Sequence, residues 1–307
     1  MSVSGRRATD LAVDFPQPMR SSHARAVAGM LLVTLLWSTA GLVTRQLDTA
    51  ASFEVTFWRS FATVLALGGY FAVVHGRDTI GLLRQGGRAL WLSGLMWSVM
   101  FTCFMLALTL TTVANVLITM SISPLMTAVL ARLMLGHAVA RRTWVAIVIA
   151  GIGIAWMYGH GLSADPRHLI GTLVALCVPI AAAINWNLLQ RSGKRVDLVP
   201  ALLIGALISS AISLPLALPL QASTHDIGLL AVLGVFQLAI PCVLAVRLAR
   251  ALPAPEISLL ALLEIVFGIA WVWWGTSERP SVQVLAGGTL VLATLAINEF
   301  VGMRTRA

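Results

Sequence analysis

The sequence predicts an all-α polytopic membrane protein with ten transmembrane helices in two inverted five-helix repeats. Three observations carry that prediction. Hydrophobic residues fill 58% of 307 positions, charged residues only 11%, and mean hydropathy is +0.89, outside the range of soluble domains. Ten apolar runs are long enough to cross about 30 Å of hydrocarbon. One pattern also occurs twice, as ANVLITMSISPLMTAVLARLMLG over Ala114–Gly136 and as APEISLLALLEIVFGIAWVWWG over Ala254–Gly275. If each copy belongs to a half with an odd number of spans, the second half lies upside down relative to the first.

The spans follow in order. The first, 27–44, comes after a polar segment with Arg6, Arg7, Pro16, Pro18, Arg20 and Arg25. That segment lacks the apolar core and cleavage site of a signal peptide, so residues 1–26 read as a cytoplasmic tail. The second span, 55–74, holds Arg59, and the third, 89–109, holds Met100 and Phe101. A few threonines separate it from the fourth, 114–133, and the fifth, 143–158, closes a first repeat over 27–160. The second repeat, 161–302, contains the spans 169–189, 198–219, 227–246, 256–275 and 282–302, before a cytoplasmic tail at 303–307.

Charge fixes the orientation. With both termini in the cytoplasm, Arg6, Arg7, Arg20, Arg25, Arg77, Arg84, Arg88, Arg132, Arg141, Arg142, Arg191, Lys194, Arg195, Arg247, Arg250, Arg304 and Arg306 fall inside. Only Arg45, Arg167 and Arg279 fall outside, a bias of 17 to 3 that alternates with every loop and follows the positive-inside rule. The net charge of +9 is therefore a topological signal; the basic residues form no continuous stretch for nucleic acid. Trp91, Trp144, Tyr158, Trp271, Trp273 and Trp274 lie near span ends, as interfacial anchors do. Cys103, Cys177 and Cys242 sit inside apolar runs without a CxxC or histidine partner and read as small apolar filler.

Several motifs resemble the drug/metabolite transporter superfamily, and within it the EamA-type exporters with ten spans. In the first half these are Ala107-Leu108, Thr112-Val113-Ala114-Asn115, Ser123-Pro124-Leu125 and Leu135-Gly136. In the second they are the run Leu252 to Glu264, then Gly275 with Glu278-Arg279-Pro280; Trp37-Ser38 and Trp58-Arg59 add to them. The resemblance covers about residues 27–302. Two positions depart from it: Ile265 stands where such proteins usually have proline, and His137 where they usually have an acidic residue. The resemblance implies export of amino acids or related metabolites, or less often of toxic compounds.

Polar groups deep in a span are costly unless they meet a wet cavity or a partner. Glu264 lies near the middle of the ninth span, and tying helices together is its alternative role. Arg59, near the outer end of the second span, either faces the cavity as an anion contact, snorkels to the surface or pairs with Glu54 about one turn away. Gln237 lies mid-span with Pro241 one turn on, and Asn185 and Asn187 flank Trp186 nearer the cytoplasm; each could instead hold helices together. Trp37, Met100, Phe101, Trp186 and Phe267 are candidate chamber walls, with ordinary packing as the alternative. Glu54, Glu256 and Glu299 sit at span ends, where solvated charge is normal.

Gly151-Ile152-Gly153 and Gly287-Gly288 lie mid-span and read as close helix contacts. Without a Walker A sequence, ATP is not the direct energy source. All six histidines fall in expected loops, so no midplane metal site is expected, and no motif implies a cofactor or a hydrolase. The expected partners are a small-molecule substrate, the lipid bilayer and, where transport is coupled, protons. The chain reads as a monomer or weak homodimer in the inner membrane. The alternatives are a multidrug efflux carrier, a lipid flippase or a membrane enzyme; an enzyme would cluster its polar residues at one interface.

Overall fold

The computed structural model describes residues 18–76, 78–136, 140–159, 166–192, 198–248, 252 and 254–304. The tail segments 1–17 and 305–307, His137, His160, Pro253, Arg77, Lys194, Arg195 and Arg250 lie outside the described residues, as do the side chains of Glu256 and Glu299.

All regular structure among the described residues is helical: α1 (Pro18–Trp37), α2 (Thr39–Thr44), α3 (Ser52–His75), α4 (Asp78–Gln85), α5 (Gly87–Leu110), α6 (Val113–Met120), α7 (Ser123–Leu135), α8 (Arg141–Gly159), α9 (Pro166–Ser192), α10 (Pro200–Ala217), α11 (Thr224–Val232), a π-helical turn (Leu233–Ala239), α12 (Ile240–Leu248), α13 (Ala254–Gly275) and α14 (Val282–Arg304). Eight segments among these residues are long and apolar enough to cross a membrane: His23–Thr44, Ser52–His75, Gly87–Leu110, Val113–Leu133, Arg167–Leu189, Pro200–Ala217, Thr224–Leu248 and Val282–Gly302. The expected spans 143–158 and 256–275 coincide with α8 and α13; α13 contributes a shorter apolar stretch, Leu260–Gly275.

Many outward-facing positions are apolar. Val73, Trp274, Val282 and Leu133 are each more than two-thirds exposed, a pattern that suits hydrocarbon and not water. Trp91, Trp144 and Trp273 are also exposed, whereas Trp271 turns inward and donates from Nε1 to Ser38 Oγ at 3.1 Å.

Three spans are interrupted. Ser38 breaks α1 from α2 and donates to Leu35 O at 2.7 Å. Ser121 and Ile122 separate α6 from α7, with Pro124 in the first turn of α7, where a missing N–H costs nothing. The segment Thr224–Leu248 widens into a π turn just ahead of Pro241. Proline cannot donate to the carbonyl four residues back, and the i→i+5 pairing of Ile240 N with Val235 O re-registers the ladder. By contrast, α13 runs unbroken through Ile265. The two copies of the repeated segment thus differ: the first is broken just before Pro124, while the second runs continuously through Ile265. The threonine junction after the third span is a true break, because Thr111 is extended and Thr112 caps α6, accepting from Asn115 N at 3.2 Å.

In the bundle, α5 packs on α9 and α10, α10 on α3, and α9 on α6 and α7. In addition α1 packs on α12 and α13, and α8 on α14. The glycine expectation holds for Gly153, whose added Cβ would stand 3.1 Å from Gly287 O, and for Gly288, pressed on Ile118; Gly151 faces open space. His23, His75, His168 and His225 lie in helices, not loops. Three sit in terminal turns, where polar side chains reach the bundle ends.

Candidate substrate cavity

A cavity of about 540 Å³ opens between α1, α3, α5, α6, α7, α9, the π turn, α12 and α13, within the usual range for small-molecule sites. Of the residues expected from sequence, Trp37, Arg59, Met100, Phe101, Trp186, Gln237 and Glu264 line it. Asn185 and Phe267 do not. Asn185 accepts from Ser93 Oγ at 2.6 Å and ties α9 to α5, while Phe267 lies one turn beyond Glu264 outside the lining. An almost uniformly apolar helix gives no sequence cue to which side faces inward.

Arg59 is fully buried. Its Nη1 donates to Gln237 Oε1 at 3.1 Å and its Nη2 to Phe101 O at 2.7 Å, while Nε has no acceptor. The Phe101 and Phe104 rings stand 6.0 and 5.8 Å from Cζ. Among the described residues no carboxylate lies within ion-pair distance of it. The expected partner Glu54 is occupied elsewhere: it accepts from Trp58 Nε1, Gln221 N and Ala222 N, and it is buried, not solvated.

Gln237 is fixed at both ends, because its Nε2 donates to Trp37 O at 3.4 Å while its Oε1 faces Arg59. The π turn presents it, and Gly234 lets that turn lie against α3. A Cβ there would stand 2.5 Å from Arg59 O and 3.0 Å from Thr63 N, and Thr63 Oγ1 donates to Gly234 O at 3.0 Å. Glu264 is half-buried in the wall without an ion pair among the described residues.

Sequence reasoning did not single out Met30, Trp97, Phe104, Ser121, Ser123 and Thr127, which also line the cavity. Only Ser123-Pro124 carried a signal, since the break before α7 turns these short polar side chains inward.

Helix directions place the lining. Met30, Leu189, Leu198 and Val246 lie toward the end where α1 begins, while Arg59, Phe104 and Gln237 lie deeper. At the opposite end, polar clasps join the helix ends and loops. Arg45 donates to Glu278 (2.7 Å), Leu108 O (2.7 Å) and Thr111 O (2.9 Å), and Glu278 also accepts from Val113 N. Asp226 accepts from the backbone N–H of Asp48, Thr49 and Ala50 at 2.9–3.0 Å. His168 bonds Thr111 Oγ1 at 3.2 Å. Asp48, His225 and Asp226 also group tightly there, but the Asp226 oxygens are already engaged by the chain.

Two curated sequences from strains of Pseudomonas aeruginosa, both "Pseudopaline exporter CntI", are 25% identical to this chain over 284 residues, covering 89% of it and 96% of each relative. A crystal structure matches the fold with a TM-score of 0.61 at 17% identity, covering 92% of this chain and 99% of the other. The family model for EamA-like transporters matches twice, over residues 24–159 and 169–299, and the chain belongs to the EamA-like transporter family.

Proposed function

We propose that this transporter exports a small amphipathic metabolite, an amino acid or related compound, by alternating access around the central cavity. The observation that carries this reading is that Arg59 and Glu264, from different halves of the chain, border one cavity whose far end is clasped shut. Similarity to exporters named for pseudopaline supports outward transport.

In this reading α8 and α13 complete ten spans, and the halves are inverted repeats. The duplicate family match supports it. So does the packing: exchanging each span with its counterpart five spans on converts α5·α9 into α12·α1, α5·α10 into α11·α3, and α7·α9 into α13·α1, all contacts that exist. Arg45, at the end of the first span, and His168, at the start of the sixth, both meet Thr111, as antiparallel counterparts would. The positive-inside bias puts both termini in the cytoplasm of a plasma (inner) membrane. The clasped end then faces outward and the cavity is approached from the cytoplasm. Proton coupling, if present, runs through Glu264.

Methionine and aromatic walls such as Met30, Met100, Met120 and Trp97 favour a second reading, a multidrug efflux carrier, because such surfaces adapt to varied apolar shapes. Cells overexpressing the protein, screened with radiolabelled amino acids and with unrelated cationic toxins, separate the two. Efflux of amino acids supports the first; resistance to several cations without amino-acid efflux supports the second.

A further inference from the structure

We propose that Arg59 is the docking point for a substrate carboxylate, with Glu264 receiving the ammonium group, so that the cargo is a zwitterion with an apolar side chain. This rests on the exporter reading and narrows it to a chemical class.

The argument starts from an uncompensated charge. A guanidinium removed from water costs several kcal/mol unless an anion and hydrogen bonds repay it. Arg59 is fully buried at the cavity, yet its acceptors are an amide and a backbone carbonyl, and its Nε has none. Neutral acceptors satisfy hydrogen bonds without cancelling charge. Two aromatic faces add a weak attraction and leave the charge in place. A purely structural arginine at this depth would be expected to carry a carboxylate, and Glu54, one turn away, is instead committed to Gln221 and Ala222. The missing anion is therefore supplied from the cavity.

Gln237 occupies the carboxylate's place in the empty state. Its Oε1 is a neutral oxygen held toward Arg59 by the bond from its Nε2 to Trp37 O, and that 3.4 Å bond is long enough to yield. A carboxylate taking the place of Gln237 Oε1 at Nη1 makes a charge-assisted bond, about twice as strong as the neutral one it replaces. Glu264 puts a carboxyl group in the same cavity wall without pairing to Arg59 among the described residues. One unpaired guanidinium and one carboxyl group without an ion pair among the described residues, in a largely apolar space, match an amine, a carboxylate and an apolar side chain on one molecule.

The test is counterflow in proteoliposomes with four probes: L-leucine, L-leucinamide, 3-methylbutylamine and 4-methylpentanoate. Leucine should exchange at least tenfold faster than the amide and the amine, which lack the carboxylate. Arg59→Gln should abolish that preference, and Glu264→Gln should abolish the preference for leucine over 4-methylpentanoate. Because Arg59→Gln can fail to fold, Gln237→Glu is the second variant. It gives Arg59 an internal carboxylate, so it should fold at least as stably as the parent and lose leucine counterflow roughly tenfold or more.

Equal movement of leucinamide and leucine, or a Gln237→Glu protein that exchanges leucine normally, overturns the proposal while leaving export intact. Movement of none of the four probes overturns the proposed cargo class. Absence of any substrate in the wider screen removes the exporter reading itself.

Discussion

Glu54 and Asp226 each hold the stretch of chain that leads into the other's helix. Glu54, in the first turn of α3, accepts from Gln221 N and Ala222 N just ahead of α11, and Asp226, in the first turn of α11, accepts from Asp48, Thr49 and Ala50 just ahead of α3. Both are fully buried. Each carboxylate also lies near a helix N-terminus, where negative charge is favoured.

Replacing Asp226 by Asn turns one acceptor oxygen into an NH₂ facing backbone donors. The expected cost is about 2 kcal/mol or more, read as a lower thermal midpoint in detergent. Glu54→Gln should behave alike, and the double variant should cost less than the sum, since the first loss already frees the shared contact. Additive losses would show that the two braces act separately.

Arg45→Ala removes three donors that join α2, α5 and the loop before α14. In a cysteine-free background with Leu117→Cys in the cavity wall, an impermeant maleimide added outside intact cells should label several times faster after this change. Unchanged labelling would mean that the clasp does not close the cavity.

Gly234 and Gly228 separate close approach from mere helix content. Alanine at 234 would place Cβ 2.5 Å from Arg59 O, which should cost roughly 1–3 kcal/mol and slow transport by displacing Gln237. Alanine at 228, where nothing lies within 4 Å, should stabilise by up to about 1 kcal/mol. Thermal melts of the two variants should move in opposite directions.

Glu264→Gln should slow counterflow of a transported substrate and lose accumulation driven by a pH gradient. Identical rates for variant and parent under both conditions would reject proton coupling through this carboxylate.

Eight of the expected spans were legible because apolar length is a one-dimensional property, and Arg59, Gln237 and Glu264 were legible because a polar group in a long apolar run stands out. Glu54 and Asp226 were not. A carboxylate at a helix N-terminus reads identically whether it meets water or a loop more than 160 residues away. Asn185 and Phe267 were assigned to the cavity because depth follows from sequence, while rotation about the helix axis does not. The π turn was foreshadowed only by Pro241, and the inward-facing serines only by Pro124.

The most direct measurement of the central claim, two antiparallel halves around one cavity, is accessibility of single cysteines in equivalent connections. Arg84→Cys lies in α4, between α3 and α5, and Gln221→Cys between α10 and α11. An impermeant thiol reagent should label Gln221→Cys in intact cells and Arg84→Cys only after permeabilisation. Labelling of both from the same side would contradict the inverted architecture and the transport cycle built on it.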